Sequence, residues 1–350
     1  MQQSDGAGGW MPEREVWIRG MREVQVKEVD DPPQHDVSFS TFPLPTESTC
    51  PACSANTTRC LYRDARDYVT QHPFQVRVCD VCGTAFTVPV PDSLDEYYPA
   101  RYRRYAHPIL AALKALYRIR ARGWDRRSAG PGTVLELGCG DGLMLQALAE
   151  RGWRVMGTER TEESARFARE VGIEVLVDGH DSWPRDRGFD LVIMFQVLEH
   201  LPDPVGRLTH CRGLLNEGGR IIVGVPNFAS WQSQWSREHW FHLDVPRHLV
   251  HLSPGALQAA AERAGLRVES LSFRSFEHDP YGWIQSCLNV CGNDNRLTRL
   301  LMRMTRFRPK DTVTLLAAGV LVLPAILLAM ISWGMGRGAL MEATLVARRG

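Results

Sequence analysis

The chain has 350 residues, with 41 Lys and Arg against 40 Asp and Glu for a net charge of +1, and 44% of its residues are hydrophobic. That balance excludes a general attraction to nucleic acid, so no nucleic-acid partner is expected and any electrostatic contact must be local. The length exceeds one ordinary domain and predicts a main domain with appendages. Residues 1–45 mix charges of both signs without an apolar run, which reads as a flexible segment and not as a secretory leader. Nine cysteines in such a chain are expected reduced or metal-bound in the cytoplasm.

Residues 46–92 carry Cys50-Pro-Ala-Cys53 and Cys79-Asp-Val-Cys82, two C-x-x-C pairs with 25 residues between them. Four thiolates from two tight knuckles complete a tetrahedral Zn²⁺ with no open position, so Cys50, Cys53, Cys79 and Cys82 are read as ligands of a structural zinc in a ribbon-like module. Phe74, Val76 and Val78 before the second knuckle, and Phe86 and Val88 after it, suit short hairpin strands. Cys60, between the pairs, is read as a bystander. Residues 93–130 are a linker and a helix from about His107 to Gly123; the aromatic and arginine-rich run Tyr97 to Tyr105 either lines an acceptor cleft or packs on the domain that follows.

An apolar strand, Thr133 to Leu137, then runs into Gly138, Gly140 and Gly142, and a helix-forming stretch follows at once. A turn without side chains between strand and helix lets a nucleotide lie against backbone N–H groups at the helix N-terminus. A second strand, Trp153 to Thr158, ends in Glu159, where folds of this kind place a carboxylate for ribose hydroxyls. Strands follow at 173–177, 189–194, 220–225 and 267–274, with helices at 161–171, 204–215 and 254–264. This alternation predicts an α/β fold, a doubly wound and mainly parallel sheet, with ligands at the carboxyl ends of the strands.

The motifs Glu136-Leu-Gly-Cys-Gly-Asp-Gly142 and Phe189-Asp-Leu-Val through Val197-Leu-Glu-His-Leu-Pro-Asp-Pro204 resemble those of the class I S-adenosylmethionine-dependent methyltransferases. The resemblance covers roughly residues 133–276 and the last dozen. It implies a seven-stranded Rossmann-like sheet, with S-adenosylmethionine held by Glu136, Gly138, Cys139 and Gly140 at its methionine end and by Glu159 at its ribose. An acid after the third strand, Asp178 or Asp181, would reach the adenine, and Gln196 and Glu199 in the loop after the fourth strand belong to the same pocket. Phe195-Gln196 replaces the family's common acidic start of that loop, where backbone contact suffices. Some members of the family carry a comparable zinc module that helps to cover the acceptor.

Methyl transfer to a hydroxyl or a carbon acid needs a base, and the histidines supply candidates. His200 stands in the Leu-Glu-His loop; His239, His242, His248 and His251 lie with Asp244 in the stretch from Trp235 onward, after the fifth strand. His248 is the first candidate, because Pro246-Arg-His-Leu249 matches a recurring element in relatives; His200, His242 and Asp244 are the other catalytic candidates. For several of these histidines, bonding to loop backbone is the alternative, and for His200 the alternative is shaping the cofactor pocket.

Thr312 to Gly336 holds about 25 residues without a charge, long enough to cross a bilayer. The run Ala339 to Arg348 reads as a strand, which the resembled fold returns antiparallel into the same sheet. One crossing would leave it on the wrong side of the membrane. Arg296, Arg299, Arg303, Arg306, Arg308 and Lys310 precede the segment and Arg337, Arg348 and Arg349 follow it, so both ends are expected on the cytoplasmic face. Pro324 divides the run into halves each too short to span, which predicts a shallow hairpin or kinked helix pair dipping into one leaflet, preceded by an interfacial helix with Leu297, Leu300, Leu301 and Met304 on one face. The domain plan is thus 1–45, 46–92, 93–130, a methyltransferase domain at 131–276, a membrane-associating insertion at 277–337 and a final strand at 338–350.

Together these features predict a methyltransferase acting on a lipid or lipid-linked glycan at the cytoplasmic membrane face. The alternatives are a soluble nucleotide-sugar or small-metabolite methyltransferase, whose apolar segment would be an oligomer contact, and a non-catalytic zinc-ribbon adapter.

Overall fold

A computed structural model describes residues 49–98, 107–127, 130–177 and 188–348. The N-terminal segment, residues 99–106 of the aromatic linker, and both Asp178 and Asp181 lie outside the described residues.

The described chain opens with a hairpin module: β1 (Thr58–Arg66), β2 (Pro73–Cys79) and β3 (Ala85–Val88) pair antiparallel in order. After α1 (His107–Arg127), strands and helices alternate: β4 (Thr133–Leu137), α2 (Leu143–Ala149), β5 (Arg154–Glu159), α3 (Glu162–Glu170), β6 (Glu174–Val177), β7 (Phe189–Phe195), α4 (Pro204–Gly213) and β8 (Leu215–Pro226). A long loop carries α5 (Trp231–Ser236) and β9 (Val250–His251), and α6 (Pro254–Arg263) and β10 (Leu266–Ser272) follow. The remainder is α7 (Asp279–Val290), α8 (Arg296–Leu301), α9 (Asp311–Gly334) and β11 (Leu340–Ala347).

Seven strands form one sheet in the order β10-β11-β8-β7-β4-β5-β6. The five strands from β8 to β6 run parallel, and β11 enters antiparallel between β8 and β10. Both faces are covered, as a parallel sheet requires. Along β7, Val192 and Met194 join the core under α4 and α6, while Leu191 and Ile193 point into the core under α1, α2 and α3. Helix starts are set locally: Thr161, Asp203, Ser230 and Ser253 accept backbone N–H bonds at the heads of α3, α4, α5 and α6, and Pro204 and Pro254 occupy first-turn positions.

The hairpin module is fused to this domain through its sheet. β9, from the loop after β8, pairs with β3 through Ala85↔His251 and Phe86↔Val250, making a four-stranded sheet β1-β2-β3-β9.

The apolar segment corrects an expectation. It is one helix of 24 residues, with Pro324 inside it, and not a hairpin or helix pair. Pro324 is exposed, while Ala325 and Ala329 beside it are buried against α7 and carry the helix past the missing N–H. Both ends are tied to the domain: Asp311 pairs with Arg296 at 2.6 Å, and the Trp333 indole N–H donates to Asp279 at 2.6 Å. The expected interfacial helix is also shorter and turned: α8 ends at Leu301, and Leu297 is 4% exposed, packed with α7 and α9.

Candidate active site

The turn from β4 to α2 places Gly138, Gly140 and Gly142 at φ +64°, +57° and +72°, the left-handed region that side chains disfavour. A Cβ on Gly138 would meet Val197 Cγ2 at 2.8 Å, so this turn and the loop after β7 touch. Cys139 N–H donates to Thr158 O at 3.1 Å, its carbonyl accepts from Gly142 N–H at 2.9 Å, and its thiol is buried against Gly157, so Cys139 holds the shape of the turn. Glu159, at the end of β5, accepts the Gly140 N–H, and Glu136 is buried at the end of β4. Two acids, a run of left-handed glycines and backbone N–H groups thus converge at adjacent strand ends. That donor set suits a nucleoside with hydroxyls and an amino-acid end, the chemistry of S-adenosylmethionine.

The other wall is the loop after β7. Gln196, at φ +58°, donates its N–H to Gly224 O at 2.8 Å, and its side-chain amide nitrogen is buried without a hydrogen-bond partner. A short helical turn, Leu198–His200, then carries Glu199 inward, 2% exposed and with neither carboxylate oxygen hydrogen-bonded. Burial, with the Asp244 charge adding to it, pushes the Glu199 carboxyl up to about 8. His248 comes to it from the second loop. The His248 ring stands 4.8 Å from that of His200, edge to face. One ligand-type atom from each of Glu199, His200 and His248 lies within 4.8 Å of the others, so the three form one polar cluster.

Each imidazole is held by backbone. His200 Nδ1 bonds Arg247 O and His248 Nδ1 bonds His242 O, both at 2.9 Å, which leaves Nε2 of His248 as its unprotonated nitrogen. Burial lowers the His248 pKa below its ordinary value against the pull of Asp244, so the ring is neutral at pH 7.

The structure separates the remaining histidines. His242 is buried beside His278 with its Nε2 unbonded, and burial, then His278 and His248, lower its pKa to about 3. His251 turns toward the hairpin module, where its Nε2 meets Thr87 Oγ1 at 3.0 Å, and Thr87 donates in turn to His248 O. His239 sits exposed in a surface turn. Asp244 is engaged mainly by Arg247. Its carboxylate lies 3.8 Å from His248 Nε2 but accepts from Arg247 Nη2 and Nε at 2.6 and 3.0 Å, and against the cost of burial Arg247 holds it down at about 2.

Arg247 is the residue that pattern reading passed over, although it stands inside the quoted Pro246-Arg-His-Leu249. It is fully buried, pairs with Asp67 of the hairpin module at 2.7 Å, donates to Tyr97 O and lies 4.3 Å over the Tyr68 ring. Tyr97 itself is buried in the core shared by hairpin and loop, so it packs and does not line a cleft.

Cys50, Cys53, Cys79 and Cys82 meet at one end of the hairpin, with Cys50–Cys82 and Cys53–Cys79 sulfurs 3.6 and 3.5 Å apart. A disulfide needs about 2.05 Å. A tetrahedron of Zn–S bonds of about 2.3 Å puts sulfurs about 3.8 Å apart, and the four thiols fit that figure. Cys60 lies outside the group, its thiol on Tyr62 O.

A family model described as a methyltransferase domain matches residues 100–271. Ubiquinone biosynthesis O-methyltransferases are among the similar proteins: that of Idiomarina loihiensis is 31% identical over 152 residues, 38% of this chain and 60% of its own length. That of Bordetella bronchiseptica is 29% identical over 183 residues, 47% of this chain and 74% of its own. That of Xylella fastidiosa is 30% identical over 166 residues, covering 43% of this chain and 68% of its own. Among solved structures, an S-adenosylmethionine-dependent methyltransferase from Archaeoglobus fulgidus aligns with 69% of this chain and all of its own at a TM-score of 0.43 and 22% identity.

Proposed function

The chain belongs to the class I S-adenosylmethionine-dependent methyltransferases, and on that premise we propose that it moves a methyl group from S-adenosylmethionine to a hydroxyl of a lipid-type acceptor at a membrane surface. The observation that carries the acceptor class is α9, a 24-residue apolar helix fastened at both ends to the catalytic domain, with its outer side bare. Leu323 and Val320 on that side are 77% and 76% exposed. Patches of this kind mark membrane or partner contacts. A helix tied at both ends lies along a surface instead of crossing it, and the basic residues before it suit anionic headgroups. The relatives' names, which point to a quinone lipid precursor, support the same class.

When bound, S-adenosylmethionine supplies an electrophilic methyl group on a cationic sulfur. Glu159 takes the ribose hydroxyls, exchanging its present bond to Gly140 N–H for them; the backbone of Gly138 to Gly140 and Glu136 hold the amino-acid end, and Gln196 lines the same pocket. On the acceptor side, His248 Nε2 takes the hydroxyl proton, while His242 O, accepting from Nδ1, fixes the ring's orientation. Glu199, protonated below about pH 8, donates to the acceptor oxygen and orients it. The group of four cysteines holds a structural Zn²⁺ that stiffens the hairpin under β9.

The test is transfer of labelled methyl from S-adenosylmethionine, by the full-length protein, to lipid and aqueous fractions of its host's extract, with Gly140→Arg as control. Label in the lipid fraction that vanishes in the variant is the expected result. Label confined to the aqueous fraction overturns the lipid acceptor.

A further inference from the structure

Beside the bare side of α9 lies a feature that the transfer chemistry leaves unused. Trp231, Gln234 and Trp235 of α5, Trp283 and Cys287 of α7, and Leu328 of α9 line an open cavity of about 600 Å³. Trp231 and Trp235 are four apart on α5, as Trp283 and Cys287 are on α7, so each helix turns one face to the cavity. The Trp235 and Trp283 rings stand 6.2 Å apart. Apart from Gln234 the lining side chains are aromatic, aliphatic or thiol, and the Trp283 indole N–H is buried without an acceptor. Such walls hold water poorly and hydrocarbon well.

We propose that this groove holds a single hydrocarbon chain drawn from the lipid layer, and so gives a lipid acceptor its tail site; the proposal rests on the membrane reading above. Three observations choose a lipid chain as occupant. Leu328 belongs both to the groove wall and to the exposed side of α9, so the groove opens onto the surface that meets the lipid. Exposed Arg303, Arg306, Arg308 and Lys310 lead into α9, where they neutralise anionic headgroups while chains lie along the helix. Finally, the groove is the outer face of elements whose inner faces pack on His242, whose backbone carbonyl holds His248. Gln232, next to Trp231, and Gly282, next to Trp283, meet at His242: a Cβ on Gly282 would lie 2.6 Å from Gln232 Oε1 and 2.7 Å from His242 Nε2. Both of those atoms are buried and unbonded, so the polar face of these helices is turned away from the groove.

The experiment is tryptophan fluorescence of the full chain on phosphatidylglycerol vesicles whose acyl chains are plain or dibrominated, with vesicle co-sedimentation in parallel. Bromine quenches only indoles in contact with the chains. The expected result is quenching by the brominated vesicles, at least half of it lost in Trp235→Phe/Trp283→Phe, with co-sedimentation unchanged. Cys287→Phe, which fills the groove and keeps every tryptophan, should lose the same share. Equal quenching in these variants and the parent overturns the groove site while leaving the membrane reading intact. Absence of co-sedimentation overturns both, and a dimer in buffer in that case puts a second copy of this chain on the α9 face instead.

Discussion

At the scale of single residues, Glu199 and His248 divide the demands on the site. Glu199 keeps its proton in the folded chain up to about pH 8, whereas a solvated glutamate loses it near 4.5. The folded state therefore binds more protons than the unfolded one in that window, and stability falls as pH rises through it, with the full penalty present above about 8. Glu199→Gln should raise the melting temperature by several degrees at pH 8 and little at pH 4.5, while lowering turnover. A variant whose melting temperature tracks the parent's at both pH values would refute this. His248→Gln should cut kcat by roughly 10²–10⁴-fold, the usual worth of a positioned base, with the S-adenosylmethionine Kd unchanged in calorimetry. Because burial lowers the His248 pKa, the acid limb of the parent's rate profile should fall below about pH 6.5.

At the scale of elements, the α/β alternation was legible because each strand and helix follows its own period and the capping residues stand in the sequence. The glycine turn and both cysteine knuckles were legible too, since few other structures ask for those residues at those spacings. α9 was half legible. Its length and apolarity showed, but Pro324 read as a break, because a sequence does not say that the helix has Ala325 and Ala329 to lean on. Asp279 was not legible at all. From the first turn of α7 it accepts from Trp333 of α9 and from Ala339 and Leu340 N–H at the start of β11, partners 54 to 61 residues away. Gly338 exists for this junction, since a Cβ there would lie 2.1 Å from Phe273 O. In Asp279→Asn the amide can serve only some of the three donors, so stability should drop by about 1–3 kcal/mol in urea denaturation. An unchanged midpoint would show that the junction is not what holds α9 to the sheet.

At the scale of the whole molecule, the hairpin module and the loop after β8 are one unit. The spacing of the cysteine pairs reads as an appended zinc ribbon whose loss would spare the rest. The structure routes β9 into the ribbon's sheet and buries Arg247 between Asp67 and Asp244. Removing one member of a buried ion network leaves the others uncompensated, so Arg247→Met should cost about 3–5 kcal/mol. Cys79→Ser should lose the zinc and leave S-adenosylmethionine binding in place, yet lower methyl transfer, since Thr87 and β3 hold His248 and β9. Metal analysis, calorimetry and turnover on one preparation separate these effects. Full turnover without zinc would mean that the loop stands without the ribbon.

The place of β11 has a consequence for how the molecule is made. It lies between β8 and β10 yet is synthesised after α9, so β8 keeps an open edge while the ribosome extrudes 24 consecutive helical residues of largely apolar character. Through that interval the nascent chain presents an unpaired strand and an uncovered greasy helix together, the two features that most invite aggregation. A lipid surface or a chaperone that takes up α9 during synthesis would leave only the strand edge to guard, and β11 closes it on arrival.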